Sequence, residues 1–374
     1  MKKRIAVLGV TGSIGKSAVD IISRDKENLE IVLLSSRRSS LKELSKQYPS
    51  AVCVKTESGD EKLLSSILEL KPDITINGIA GSAGLKPSLA AINAGSHLAL
   101  ANKETIVMAG QLVMRHAKEK NVNIIPVDSE HSAVFHLLQR EEFYRGAANK
   151  KEEVNISEII LTASGGPFRN LTVEQMRDVT VKDALAHPTW NMGHKITVDS
   201  ASMANKGLEI IEACVFFNTP PEKIKVVIHP QSIVHSMIRL CNGVIYAQLS
   251  KPDMRHPIHD AIYWPVTTPS ALEPICFDSL TLEFSKPDTD KFPMLKYAWE
   301  AAEQKALYPC AYNAANEIAA AAFLEKKIKF LDIPKITEQV LQSDWTGDEL
   351  DFESIIKADT DARVNAIKII NNLH

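Results

Sequence analysis

Two acidic residues stand closest to chemistry by type and spacing: Asp128 and Glu130, just past the apolar run VNIIPV (122–127). Like charges held close are costly unless a cation lies between them. Carboxylate oxygens are the hard ligands that Mg²⁺ or Mn²⁺ prefers. In extended chain, residues i and i+2 project to one side, so the spacing predicts that both carboxylates converge. A second reading is equally open: Asp128 or Ser129 caps the helix carrying HSAVFHLLQ.

Ser164-Gly165-Gly166 and the segment Ser200–Glu209 add small hydroxyls, the Asn205 amide and the Lys206 ammonium near a helix start. Such groups suit a phosphate monoester. Lys206 also precedes Glu209 by three residues, which is the spacing of a helical ion pair. Between these segments, residues 187–193 read as a mobile lid, with Trp190 and Gly193 in a loop; a buried tryptophan without function is the alternative. His256, His259 and Asp260 have metal-like spacing but no further convergent ligand for zinc, and are read as structural.

Gly9-Val10-Thr11-Gly12-Ser13-Ile14-Gly15 lies between a strand-like run and a helical one. Small residues there let backbone N–H groups and a helix N-terminus approach a pyrophosphate; glycines also serve tight turns, and the position at the first turn of an alternating array favours the dinucleotide. An acid at the end of the second strand would hold a free ribose 2′-hydroxyl. Arg37, Arg38 and Ser39 stand there instead, which suits a 2′-phosphate and so NADPH. The other reading is a solvated basic turn.

These residues need elements to position them. The strand candidates RIAVLGV, LEIVLLS, AVCVKT, DITINGI, HLALAN and VNIIPV carry continuous rather than alternating apolar runs, and helical stretches separate them. That pattern predicts strands buried on both faces of a parallel, doubly wound sheet. After the polar stretch Glu141–Glu153 the style changes to EIILTAS, KVVIHP, IVHSMIRL and VIYAQLS, the last two joined at Asn242-Gly243, a hairpin signal. Thr172 and Gln175 form a capping box. From Met294 onward the chain reads as helices rich in alanine. The fold class expected is α/β: an N-terminal Rossmann-like sheet, a central α+β catalytic domain and a C-terminal helical bundle. The boundaries drawn are 1–127 for the NADPH-binding domain, 128–263 for the catalytic domain, 264–293 for a linker and 294–374 for the helical domain.

At 374 residues the chain exceeds what one growing core serves, so more than one domain is expected. A formal net charge of −3 and no basic run beyond Lys2-Lys3-Arg4 argue against nucleic acid as the main partner. Five scattered cysteines without any CxxC fit reduced thiols in the cytoplasm. No run approaches the roughly 18–20 apolar residues of a membrane span. The N-terminal basic residues and apolar run imitate a signal peptide, but TGSIGKS follows too soon, so a first strand is expected.

The segments GVTGSIG, LANKE, PVDSEHSA, TASGGPF, HPTWNMGHKITVDSASMANKGLE, HPQSIVHSM and KPDMRHPI occur in one order along the chain. Together they resemble the 1-deoxy-D-xylulose 5-phosphate reductoisomerase family. The resemblance implies that Asp128, Glu130 and Glu209 bind a divalent metal, Mg²⁺ or Mn²⁺, and that Ser164, Ser200, Asn205 and Lys206 hold the substrate phosphate. It implies further that Lys103, Ser129 and His187 contact the substrate or metal site, with Trp190 and Met192 on the lid. Thr11, Gly12, Ser13, Ile14, Arg37, Arg38, Ser39, Asn102, Glu104 and Gly193 would meet NADPH, and a homodimer is implied. Two positions depart from the family's habit: Val10 where serine is usual, and Arg37-Arg38 where Gly-Lys is common. A homoserine or semialdehyde type of dehydrogenase shares the N-terminal pattern; the latter needs an activated cysteine. A non-catalytic NADP sensor would need no carboxylate triad.

Overall fold

The computed structural model describes residues 1–147, 156–190 and 192–373, without the side chains of 141–147. Much of the polar stretch Glu141–Glu153, and Asn191 of the lid segment, lie outside the described residues. The chain forms two compact units: Met1–Thr105 with Leu112–Ser132 and Asp253–Glu273, and Ile106–Gln111 with Ala133–Pro252 and Pro274–His374. This partition differs from the boundaries drawn on sequence. The helix Arg255–Tyr263 joins the N-terminal unit, the C-terminal helices share a unit with the second sheet, and residues 264–293 divide between the two units.

The first unit is built on six parallel strands: β1 (Lys3–Leu8), β2 (Leu29–Ser36), β3 (Val52–Lys55), β4 (Ile74–Asn77), β5 (His97–Leu100) and β6 (Ile124–Pro126). Their order is β3-β2-β1-β4-β5-β6. Ile5, Ala6, Val7 and Leu8 are fully buried, as the unbroken apolar run required for a strand covered on both faces. The order reverses between β1 and β4, and the crevice beyond the carboxyl ends of such strands is where ligands of open α/β sheets bind. The fold therefore places the glycine-rich turn after β1 at the switch point.

The second unit holds β7 (Ile156–Ala163), β8 (Ile224–Ile228), β9 (Val234–Leu240) and β10 (Ile245–Leu249), in the order β10-β9-β7-β8. β9 and β10 form the antiparallel hairpin expected at Asn242-Gly243, where Gly243 has φ +87°; β7 and β8 pair in parallel. The Thr172–Gln175 capping box is present but opens a helix of only four residues, Val173–Met176. A second box, Thr180 with Asp183, follows. In the same unit the helices Met294–Gln304, Tyr308–Leu324, Asp332–Leu341 and Phe352–Asn371 pack through small residues, with Ala298, Ala311, Ala314, Ala315 and Ala362 fully buried. Alanine at these positions lets the axes approach closely at little cost in side-chain entropy.

Candidate active site

In the first unit, three glycines shape the turn after β1. Gly9 has φ +73°, and a Cβ there would stand 2.7 Å from the Gly78 carbonyl oxygen beyond β4. A Cβ on Gly15 would collide with the backbone of Val10. Gly12 is the N-cap of the helix Ser13–Arg24 and supplies no side-chain cap. The first N–H groups of that helix thus face outward between exposed Gly12 and Ser13 and half-buried Thr11 and Ile14, a cradle that fits a pyrophosphate. Beyond β2, Arg37, Arg38 and Ser39 are exposed. The Ser36 hydroxyl donates to the Ser39 carbonyl at 2.7 Å and fixes the turn beneath them.

Asn102 caps the helix Lys103–Lys120 by accepting from the Thr105 N–H. Its amide donates to the carbonyls of Ile79 (2.7 Å) and Gly81 (2.9 Å) and to the Glu104 carboxylate (3.0 Å). Asn102 and Glu104, both buried, thus tie the loop after β4 to the helix after β5. Their side chains brace the crevice beyond the carboxyl ends of β4 and β5.

At the edge of the same sheet, Lys103 Nζ lies 2.6 Å from Asp128 Oδ2, with the lysine side chain 5% exposed. Asp128 Oδ1 accepts from the Glu130 N–H (3.3 Å), and the Ser129 hydroxyl donates to Glu130 Oε2 (2.5 Å). Asp128 and Glu130 carboxylate oxygens lie within 4.8 Å of one another. They converge by a route other than the extended chain expected: Glu130 sits in the first turn of the helix Ser129–Ala147. Asp128 accepts from the helix start, as a cap does, and also faces a second carboxylate. Two such groups beside one lysine present a hard oxygen donor set that fits a divalent cation.

In the second unit, Ser164 follows β7 and leads into Gly165 and Gly166, with φ of +82° and +65°. A Cβ on Gly166 would stand 2.7 Å from the Ser200 carbonyl oxygen, so the left-handed turn lets the Ser164 loop lie against the helix His194–Ala201. Farther along, the helix Ala204–Phe216 carries the pair Lys206–Glu209, with side chains 4% and 1% exposed. The Asn205 amide donates to the other Glu209 oxygen at 2.6 Å. Asn205, Lys206 and Glu209 are brought together, and the ion-pair spacing is realised.

His187 Nδ1 accepts from the N–H groups of Thr189 (3.1 Å) and Trp190 (2.9 Å). Two donors at Nδ1 place the ring proton on Nε2, which donates to the Ser164 hydroxyl at 3.0 Å. Burial, with the Arg169 charge, lowers the His187 pKa from 6.5 to about 4. The imidazole is therefore neutral near pH 7 and folds the start of the lid segment back on Ser164. Trp190 lies against His235, ring centroids 6.4 Å apart, and exposed Gly193 caps the next helix.

The sign of this shift gives a prediction. The unfolded chain takes up a proton at His187 near pH 6.5 and the folded chain only near pH 4. The stability it contributes is full above about pH 6.5 and is lost as pH falls through 4. The decline in Tm between pH 6.5 and 4 is expected to be shallower in His187→Gln than in the parent; parallel Tm–pH curves would contradict it.

His259, by contrast, serves structure. Its Nε2 is 3.3 Å from Thr268 Oγ1, and its ring meets Tyr263. Two residues escaped the sequence reading: Asp199, 1% exposed, and Asn316, fully buried, joined at 2.9 Å. Lys195 before Asp199 was a visible i, i+4 pair; Asn316 lies 117 positions away and gave no local signal.

The strand order and the open turn put the chain among doubly wound folds of the dinucleotide-binding type. Comparison narrows the class. Models of 1-deoxy-D-xylulose 5-phosphate reductoisomerase match residues 5–65 and 37–110, and models of its C-terminal domains match 124–217 and 249–365. The reductoisomerase of Treponema denticola is 46% identical over 378 residues, covering 98% of this chain and 97% of its own length. That of Pelodictyon phaeoclathratiforme is 43% identical, covering 98% and 100%. The Zymomonas mobilis enzyme, solved in complex with NADPH, superposes with a TM-score of 0.85 at 37% identity over 99% of both chains. A reductoisomerase solved with NADPH, fosmidomycin and magnesium does so at 0.87 and 36%, again over 99% of both. The chain belongs to the 1-deoxy-D-xylulose 5-phosphate reductoisomerase family.

Proposed function

We infer that this protein catalyses the NADPH- and divalent-metal-dependent rearrangement and reduction of 1-deoxy-D-xylulose 5-phosphate to 2-C-methyl-D-erythritol 4-phosphate, a step of isoprenoid precursor synthesis. The observation that carries the reading is the convergence of Asp128 and Glu130 beside Lys103, on a sheet whose glycine turn is open to a pyrophosphate. The test is NADPH oxidation by the purified chain with this substrate and Mg²⁺ or Mn²⁺. Absence of metal-dependent turnover would overturn it.

Asp128, Glu130 and Glu209 are proposed to hold the metal, and Thr11–Ile14 with Arg37–Ser39 and Gly193 to hold NADPH. When bound, the metal supplies Lewis acidity for charge developing on the substrate oxygens and the nicotinamide supplies hydride. The chain's own residues do the rest. Ser164, Ser200, Asn205 and Lys206 bind the phosphate, which anchors the substrate away from the reacting carbons. Lys103 and Ser129, each bonded to one of the paired carboxylates, orient those groups and contact the substrate. Neutral His187 keeps the Ser164 hydroxyl in place by donating to it, and Trp190 and Met192 exclude water when the lid segment covers the ligand.

The cofactor choice rests on Arg37 and Arg38, both exposed, with no ion pair or hydrogen bond among the described residues. Charge-assisted hydrogen bonds are worth about 1.5–3 kcal/mol. Replacing both by alanine removes at least one such bond and is expected to weaken NADPH by at least about 10–10²-fold, leaving NADH use unchanged. An unaltered ratio of kcat/KM for the two cofactors would refute the assignment.

A homodimer and a cytoplasmic setting belong to the same proposal. The first is supported by β10, at the edge of its sheet, where Ile245 and Tyr246, with Val244 just before the strand, are more than two-fifths exposed, since open edges invite pairing. The second is supported by five free cysteines. Among the described residues no helix is long and apolar enough to cross a membrane.

A further inference from the structure

The helix His194–Ala201 has two turns, and Gly193 gives it no side-chain cap. A helix this short is marginal alone, so tertiary contacts must set its rotation. Buried Thr197, Val198 and Ala201 supply the apolar part of them, and Asp199, 1% exposed, the directional polar part. Lys195 Nζ lies 2.9 Å from its Oδ2, and the Asn316 amide donates to its Oδ1 at 2.9 Å. A carboxylate this deeply buried is tolerated when both oxygens are paired. The next residue, Ser200, is half-buried, and its hydroxyl makes no hydrogen bond among the described residues. Its carbonyl closes against Gly166 of the Ser164 loop.

Asn316 belongs to the helix Tyr308–Leu324, which reaches a second segment of the phosphate site. The Tyr312 hydroxyl fills the space a Cβ on Gly207 would need, next to Lys206, and donates to the Met294 carbonyl at 3.1 Å. One C-terminal helix therefore touches both stretches of chain that bear Ser200 and Asn205-Lys206.

We propose that Asp199 and Asn316 are positioning residues for the substrate phosphate: their buried hydrogen bond fixes the rotation of the helix that presents the Ser200 hydroxyl. The proposal rests on the assignment of Ser200 to the phosphate. It gives the C-terminal helices, distant in sequence from the chemistry, a part in substrate affinity.

The test is steady-state kinetics on full-length Asn316→Leu, Asp199→Asn, Ser200→Ala and the double variant Asn316→Leu/Ser200→Ala. Losing a hydrogen bond to a charged group is worth about tenfold or more. Asn316→Leu should raise KM for 1-deoxy-D-xylulose 5-phosphate by that factor, with KM for NADPH unchanged. The double variant should be no worse than the poorer single, because both act through one contact. Asp199→Asn keeps size and acceptor and should move KM in the same direction by less; it serves as the test if Asn316→Leu does not fold. If Ser200→Ala raises KM while Asn316→Leu and Asp199→Asn do not, or if the effects simply multiply, the positioning role falls and the phosphate assignment stands. If Ser200→Ala leaves KM unchanged, the phosphate assignment itself falls.

Discussion

Glu130→Gln is expected to lower turnover by at least about 10²–10³-fold, the loss seen when one fixed electrostatic contact to developing charge is removed, while the affinity for NADPH stays as it was. Glutamine keeps the shape of the side chain and an oxygen to accept from the Ser129 hydroxyl, which donates to Glu130 at 2.5 Å. What it removes is one ligand charge. Asp128→Asn should be as damaging for catalysis but harder to read, because Asp128 also faces Lys103 at 2.6 Å. Losing that carboxylate removes one negative charge from beside a buried ammonium, a destabilising change of up to roughly 3–5 kcal/mol. As a helix cap alone, Asp128 would tolerate the change, since asparagine caps about as well as aspartate. The proposed NADPH contacts lie on the turn after β1 and the arginines after β2, so an unchanged cofactor affinity would confine the loss to the proposed metal ligands. The measurements are kcat at limiting and saturating Mg²⁺ or Mn²⁺, and NADPH affinity by fluorescence. Near-parental turnover for Glu130→Gln at limiting metal would remove it from the ligand set.

How much of this was legible in the sequence depends on how local the determinant is. The central strands of the first sheet were readable because a strand buried on both faces favours unbroken apolar stretches, as in Ile5–Leu8 of β1, all buried. The hairpin at Asn242-Gly243 and the Thr172–Gln175 box were readable because turn and cap chemistry lies within four residues. The second box was missed because Asp183 stands where glutamate or glutamine is usual. The route by which Asp128 and Glu130 meet was misjudged. A helix starting at Ser129 brings the first-turn Glu130 back over Asp128, whereas the spacing alone fits a strand equally well. Membership of Arg255–Tyr263 in the first unit was not legible. Lys3, at the start of β1, donates to the Ile262 carbonyl at 2.7 Å, and Tyr263 to Asp25 at 2.7 Å. Contacts across more than 200 residues leave no periodic trace.

The second large effect is expected at Lys206. With its side chain 4% exposed and paired to Glu209 at 1%, it is the nearest positive charge to a carboxylate that water barely reaches. Lys206→Met keeps most of the side-chain volume and removes that charge, leaving Glu209 the Asn205 amide at 2.6 Å. Breaking one side of a buried ion pair costs roughly 3–5 kcal/mol, so Tm in the presence of a chelator should fall by several degrees. If Glu209 is a metal ligand, a divalent cation can neutralise it in place of the lysine. Ligand binding to the folded state stabilises by RT ln(1 + [L]/Kd), and Lys206 no longer competes for the carboxylate in the variant. Added Mg²⁺ or Mn²⁺ should therefore recover more of Tm in Lys206→Met than it adds to the parent. KM for the substrate should rise at the same time, by about tenfold or more, because a charge-assisted contact to the phosphate is gone. A purely structural ion pair predicts a different combination: a lower Tm, no larger response to metal, and an unchanged KM. Scanning calorimetry with and without chelator, together with KM under saturating NADPH, separates the two, and the second pattern would take both Lys206 and Glu209 out of the active site.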